Sequence, residues 1–250
     1  MAHQVDRQQH AIHKLHDYRK SLSRRPFMAR GGSVERCDYC RLATDFCTCE
    51  HLPETQSNAA FVLLMYDDEV LKPSNTARLI ADLVPETYAF LWRRTEVDPE
   101  LIALLQQPQW QPFIVFPGSY AAPERPVHSE LPKIDDGKRP LFILLDGSWR
   151  EACKMFRKSP YLDGYPLLSF KAEQGSDYQI RKAVHKDQLA TAEVAARVLQ
   201  VAGESHNSQL LQLWFEFFSY RYQQAVHQIN QGREDALERL QAFLAKEMHE

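Results

Sequence analysis

The chain has no run approaching the ~18 apolar residues of a membrane-crossing helix, and its polar start, Met1-Ala-His-Gln-Val-Asp6, lacks the form of a secretory signal. No membrane is therefore expected as a partner, and the expected location is cytoplasmic. There is no G-x-G-x-x-G, no Walker-type glycine loop, no G-x-S-x-G and no H-E-x-x-H. Readings as a dinucleotide dehydrogenase, a P-loop enzyme, a common serine hydrolase or a zincin lose their support. An excess of positive charge is missing too. A formal net charge of −3 argues against a generally basic nucleic-acid binder while leaving room for a local basic patch. Internal repeats and low-complexity segments are absent.

What remains is an ordinary globular composition, with 44% hydrophobic and 25% charged residues in 250. That length fits one large domain, or one domain with a small appendage. The clearest signal is Leu141-Phe-Ile-Leu-Leu-Asp-Gly-Ser-Trp-Arg150. Leu141 to Leu145 read as a buried strand of the parallel-sheet kind. The run stops at Asp146, bends at Gly147 and opens a helix with Ser148 as N-cap. Ligands bind at such a carboxyl edge in open α/β sheets, so Asp146, Ser148 and Trp149 are candidate site residues. The plain alternatives are a cap-like structural carboxylate for Asp146 and a core aromatic for Trp149.

From residue 59 strands and helices alternate. Strands are expected over Ala59–Tyr66, Thr87–Trp92, Phe113–Phe116, Leu141–Leu145 and Tyr165–Phe170. Helices are expected over Ser74–Val84, with Ser74 as N-cap, over Asp98–Gln106, capped by Asp98, and over Trp149–Lys158. This pattern implies an α/β fold with a mostly parallel sheet and right-handed crossovers. Ala121–Pro140, with four of the fourteen prolines, reads as a long loop near the site. After residue 188 the pattern is helical: Gln188–Val201, Gln209–Val226 and Glu234–Glu247. Leu210, Leu213, Trp214, Phe217 and Phe218 form a stripe that reads as core. At the other end, Ile12, Leu15 and Tyr18 give weak helical spacing. Arg19, Lys20, Arg24, Arg25, Arg30 and Arg36 then make a basic arm, either solvated surface or a contact for RNA phosphate. The expected organisation is an arm over 1–35, a metal-binding segment over 36–56, an α/β domain over 57–204, and C-terminal helices over 205–250 packed on it.

Cys37, Cys40, Cys47 and Cys49 give C-x2-C-x6-C-x-C. Thiolates so close in sequence can surround one tetrahedral Zn2+ unaided, and a shell filled by protein is structural, not catalytic. No recognition helix fits between the pairs. His51 is an alternative ligand, and an iron–sulfur cluster or free thiols are the competing readings. Cys153 reads as a small buried residue.

Other segments end at the same sheet edge. Lys72 precedes Ser74, Asn75 and Thr76 at a helix N-terminus, a natural place for a carboxylate or phosphate, with ordinary capping as the competing explanation. Phe116-Pro117-Gly118 is a tight turn whose backbone can approach a ligand. Tyr178-Gln-Ile-Arg181 precedes Leu189-Ala-Thr191-Ala-Glu193, where Thr191 and Glu193 read as a cap and a dipole-favoured carboxylate.

In this order, the cysteine cluster, Lys72-Pro-Ser-Asn-Thr-Ala-Arg-Leu79, Val115-Phe-Pro-Gly118, Leu145-Asp-Gly-Ser-Trp149, Lys154-Met-Phe-Arg-Lys-Ser-Pro160, Tyr178-Gln-Ile-Arg181 and Thr191-Ala-Glu193 resemble the DTW-domain family. That family is named for Asp-x-Thr-Trp; Ser148 stands at the threonine, keeping the hydroxyl and losing a methyl. The likeness is to the bacterial tRNA-uridine aminocarboxypropyltransferases of the family. It implies transfer of the 3-amino-3-carboxypropyl group of S-adenosylmethionine to N3 of a tRNA uridine, with methylthioadenosine released, on a knotted SPOUT-like domain. Attack must fall on the γ-carbon of the methionine chain and not on the methyl, a matter of positioning.

The resemblance also implies roles. Asp146 is the candidate general base for the N3 proton, or an orienting group. Trp149 is a candidate to pack on the adenine, the uracil or the sulfonium. Lys72 or Arg181 would pair with the cofactor carboxylate, and Asn75, Phe116, Pro117, Gly118, Leu145, Gly147, Tyr178, Leu189, Thr191 and Glu193 would line its site. Arg24, Arg25, Arg30, Arg36, Arg41, Arg157 and Lys158 are candidates for tRNA phosphates. Two rivals stand beside this reading: an RNA methyltransferase using the same cofactor, and a zinc-stabilised RNA-binding protein without chemistry. Variable loop or D-loop as the target, and monomer or homodimer as the state, stay open.

Overall fold

The structure, a computed structural model, describes residues 9–24, 34–170, 189–226 and 230–247. Arg25, Arg30, Tyr178 and Arg181 lie outside these residues. The strands are β1 Ala60–Met65, β2 Thr87–Leu91, β3 Trp110–Val115, β4 Val127–His128, β5 Arg139–Asp146 and β6 Leu167–Leu168. The helices are α1 Ala11–Ser21, α2 Ala77–Leu83, α3 Pro99–Leu105, α4 Trp149–Arg157, α5 Thr191–Val201, α6 Ser205–Val226 and α7 Ala236–Glu247. The strands lie in the order β2-β1-β5-β3-β6-β4, and every pair is parallel.

Strand alternation divides the core in two. Phe61, Leu63 and Met65 of β1, Phe142 and Leu144 of β5, and Phe113 and Val115 of β3 face one side, covered by α1, α2, α5, α6 and α7. Ala60, Val62, Leu64, Leu141, Ile143 and Ile114 face the other, against Leu101, Leu104 and Leu105 of α3 and Ala152, Met155 and Phe156 of α4. A strand buried on both faces must be apolar throughout, and that is the composition of β1 and β5. The aromatic stripe of α6 is core as expected: Leu210, Leu213, Trp214, Phe217 and Phe218 are all buried.

Several boundaries differ from expectation for identifiable reasons. β3 begins at Trp110 and not at Phe113, despite Pro112. At residues 110–112 it pairs with β5 alone, because β6 reaches only Ile114 and Val115, and a proline is tolerated where one edge is open. β4 lies inside the expected loop Ala121–Pro140 and pairs with β6. α2 begins at Ala77, with Thr76 and not Ser74 at the N-cap position. The end of α5 is set by Gly203, whose φ of +82° no other residue adopts without strain, and α6 follows at once from Ser205.

The basic arm is in part a helix. α1 buries Ile12 and Leu15 while Tyr18 stays exposed. Arg19 makes a two-pronged ion pair with Asp67, at 2.8 and 2.9 Å. At its start the His10 and His13 rings stack 3.8 Å apart, and His10 Nε2 lies 3.2 Å from Asp82, which also accepts from Trp214 Nε1 at 3.0 Å. His13 Nε2 donates to the Tyr39 carbonyl, and Nδ1 accepts from the His10 amide. Only the neutral ring can do both. Burial, reinforced by the neighbouring His10, lowers its pKa from 6.5 to about 4. The unfolded chain thus binds more protons between these values, so this contribution is full above pH 6.5 and lost as pH falls toward 4. The melting temperature should drop between about pH 7 and pH 5, and His13→Gln, which keeps a donor and an acceptor, should flatten that slope. Equal slopes in the two proteins would refute the assignment.

Candidate active site and metal centre

Asp146 ends β5 in register with Met65 of β1, and its side chain follows Phe142 and Leu144 to the side of α2 and α5. It is 3% exposed. One carboxylate oxygen accepts from Asn75 Nδ2 at 2.7 Å, the other from the Thr191 hydroxyl at 2.5 Å. Asn75 Nδ2 also lies 3.4 Å from Glu69 Oε1, and Glu69, itself buried, accepts from Lys72 Nζ at 2.6 Å. The Thr76 hydroxyl accepts from the Ala192 amide, tying α2 to α5. A carboxylate only accepts, so an amide held between two of them must present its NH2 group. The orientation of Asn75 is thereby fixed, and Oδ1 points elsewhere. That oxygen is buried and has no partner among the described residues, in a side chain only 3% exposed. An unsatisfied buried acceptor costs about 1–3 kcal/mol, and an N–H or O–H of a ligand would satisfy it.

The cluster brings together Lys72, Asn75, Asp146 and Thr191 and adds Glu69, which the sequence reading missed. Its signal was the spacing Glu69-x-x-Lys72, one turn apart. Thr191 is the first residue of α5, not its cap, and its hydroxyl donates to Asp146. Lys72 donates to Glu69, and Glu193 holds the helix start by accepting from the Ala190 amide at 2.6 Å.

The next residues turn to the opposite side of the sheet. A Cβ on Gly147 would sit 3.1 Å from Glu151 Cβ and 3.2 Å from Tyr66 Cβ, so the tight turn wants glycine. The Ser148 amide and hydroxyl both donate to Glu151 Oε2, at 2.7 and 2.6 Å, which starts α4 at the expected place. Trp149 then stacks on Phe116 (centroids 5.5 Å apart, planes 9° apart), and Phe116 stacks on Phe156 (4.4 Å, 10°). Tyr120 stands edge-on to all three rings, and the Arg125 guanidinium lies 5.2 Å above Phe156. Beside this column the turn at Pro117 is set by the Gly118 amide donating to the Ser169 hydroxyl at 2.8 Å. Asp146 and Trp149, three residues apart, thus serve different faces of one edge; Leu145, next to Asp146, and Leu189, two residues before Thr191, are half-buried. Cys153 is buried under α4, as expected.

The four cysteine Sγ atoms lie within 4.8 Å of one another, the one such Cys/His group among the described residues. The loop is closed by the Cys37 amide donating to Leu42 O at 2.8 Å and by a bridge between Arg36 and Ala43, with Arg41 in the left-handed region at φ 62°. Hydrogen bonds from Cys40, Cys47 and Cys49 hold the Cys37 thiol far below its ordinary range, and the same sharing raises Cys47 and Cys49. Thiolate character is shared within this group of four sulfurs, a donor set that suits a thiophilic dication. His51 instead packs its ring edge-on against Phe217 of α6, 5.5 Å away. Of the basic candidates, Arg36 donates to the Arg41 carbonyl and Arg41 contacts His16 and Asp38. Arg24, Arg157 and Lys158 are exposed.

No helix among the described residues is long and apolar enough to cross a membrane. No solved structure matches the chain significantly. Comparison with protein families matches the DTW domain over residues 34–223, from the cysteine loop through most of α6. With its signature segment at the carboxyl edge of a parallel sheet, the chain belongs to the DTW-domain family.

Proposed function

We propose that the protein is a tRNA-uridine aminocarboxypropyltransferase that uses S-adenosylmethionine, modifies N3 of a uridine in the variable loop and releases methylthioadenosine. The family match is consistent with a tRNA-modifying role. The observation that carries the finer reading is the buried, unpartnered Asn75 Oδ1 in the Asp146 cluster, at the edge where α/β sheets take their ligands. The residues fit such a ligand: a fixed amide acceptor and carboxylates for N–H groups. When bound, S-adenosylmethionine supplies an electrophilic γ-carbon with a good leaving group.

The chain's own residues do the positioning. Asn75 Oδ1 takes an N–H of the ligand, and its NH2 group is locked by Asp146 and Glu69. Both Asp146 oxygens are already engaged as acceptors, one by Asn75 and one by Thr191, the arrangement of a carboxylate that holds its neighbours in place. We therefore assign Asp146 to orienting the reactants, with the weakly acidic N3 proton leaving to solvent. A knotted, SPOUT-like winding belongs with this proposal. So do a structural Zn2+ held by Cys37, Cys40, Cys47 and Cys49, and phosphate contacts from the basic residues. The test is to incubate the protein with unmodified tRNA and cofactor labelled in the methionine chain, then map the adduct by nuclease digestion and mass spectrometry. Label retained in a nucleoside with the mass of the aminocarboxypropyl group is the expected result. A methyl adduct would favour the methyltransferase reading, and no adduct would sink both.

A further inference from the structure

We infer that the solvent face of α4 and the open end of the aromatic column at Trp149 form a docking surface for single-stranded RNA. One unpaired base extends the column by stacking on Trp149, while α4 holds neighbouring phosphates. This rests on the proposed RNA-modifying role and names the element that receives the RNA. The first observation is the column itself. Phe116 and Phe156 are buried within it, whereas Trp149, its outer member, is 36% exposed. One face of the indole is on Phe116 and Tyr120 stands perpendicular to it, and among the described residues no further ring stacks on Trp149. A flat, polar-edged base is the group that continues such a stack.

The second observation is charge. The inward side of α4 carries Ala152, Cys153, Met155 and Phe156, and its exposed positions are Arg150, Lys154, Arg157 and Lys158. Their spacing, i, i+4, i+7 and i+8, puts all four on one face, running from Trp149 along about 12 Å of helix. Among the described residues none of the four is in an ion pair, although the whole chain is net acidic. Glu151, the one acid of α4, is spent on Ser148. Lys154 is steadied at the rim by the Tyr66 hydroxyl at 2.9 Å and by the Tyr66 and Trp92 rings, 5.2 and 5.6 Å away. Arg157 donates its Nε to the Cys153 carbonyl, which leaves the two Nη groups to meet a phosphate as a fork. A stripe of unpaired cations beginning at an open aromatic face matches a backbone and a splayed base together.

Trp92, Trp110 and Trp214 are buried, so Trp149 is the accessible fluorophore of the four tryptophans. Titrating the full-length protein with an unmodified tRNA transcript should quench the emission of Trp149. In Trp149→Phe that quenching should vanish while affinity, read by anisotropy of a dye on the RNA, stays near wild type. Trp149→Leu, which cannot stack, should bind roughly tenfold more weakly. Arg157→Gln combined with Lys158→Gln should flatten the dependence of log affinity on log salt by about one to two units. Binding without quenching, or Trp149→Leu binding like wild type, overturns the inference and leaves the RNA-modifying role standing. Quenching by methylthioadenosine alone would give this face to the adenine and also overturn it. Absence of any tRNA binding would bring down the inference and the proposed function together.

Discussion

Asp146→Asn should cut aminocarboxypropyl transfer by about 10²-fold or more while leaving the cysteine loop and the overall fold in place. The substitution keeps shape and removes acceptors. At the position of each carboxylate oxygen Asp146 now receives a hydrogen bond, one from Asn75 and one from Thr191. An amide can satisfy one of those donors and must turn its own NH2 toward the other. Asn75 is then held mainly by its longer, 3.4 Å contact with Glu69, and the direction of its Oδ1 is less firmly fixed. A drop in stability of roughly 1–3 kcal/mol should accompany this, since a buried donor loses its partner. The pH dependence separates the two roles open to Asp146. For an orienting carboxylate, the rates of wild type and variant rise in parallel with pH. If the wild-type profile has a limb that Asp146→Asn removes, Asp146 is the base and the assignment made above is wrong.

Removing the metal should have the second large effect. Four thiols within 4.8 Å of one another are a poor arrangement without a cation and a good one with it. The loop they close is not an isolated appendage: His51 packs on Phe217, and the Tyr39 carbonyl receives His13 of α1. Structural zinc sites bind with roughly 10–16 kcal/mol of apparent free energy in small peptides, part of which appears here as global stability. A loss of about 3 kcal/mol would lower the melting temperature by roughly 10 °C, so a strong chelator or Cys40→Ser should produce a shift of at least that size. The shift should shrink as pH falls, because protons compete with the metal for the thiolates. Elemental analysis should find one zinc per chain; visible absorption with iron would mean a cluster instead. An unchanged melting curve after complete metal removal would exclude a structural metal.

What could be read from the sequence follows the range of the interactions. β1 and β5 announced themselves because burial on both faces demands unbroken apolar runs, and α4 because Ser148 and Glu151 form a local cap. The cysteine group was legible because its members are close in sequence. β3 was shortened because Pro112 is acceptable only where a neighbouring strand is missing, a tertiary fact. The sequence places Thr191 at a helix start and in a candidate ligand site, but its partner, Asp146, lies 45 residues away and is visible only in the fold. Glu69 was passed over for a similar reason: its carboxylate gains meaning only when Asn75 is folded between it and Asp146. The division of Asp146 and Trp149 between two faces also needed the structure, since it depends on where the turn at Gly147 sends the chain.

The two cores close at different moments in synthesis. The one beneath α3 and α4 is complete once residue 167 has emerged from the ribosome. The larger one waits for Leu210, Trp214, Phe217 and Phe218, and for Leu240 beyond them. Phe61, Leu63 and Phe142 therefore remain without their final cover while more than a third of the chain, from the end of β5 to Leu240, is translated. A nascent chain in that condition presents a broad apolar sheet face, the kind of surface that holding chaperones bind. The late position of α6 in the chain thus makes the yield of folded protein depend on α6 and α7, helices that contribute no residue to the Asp146 cluster.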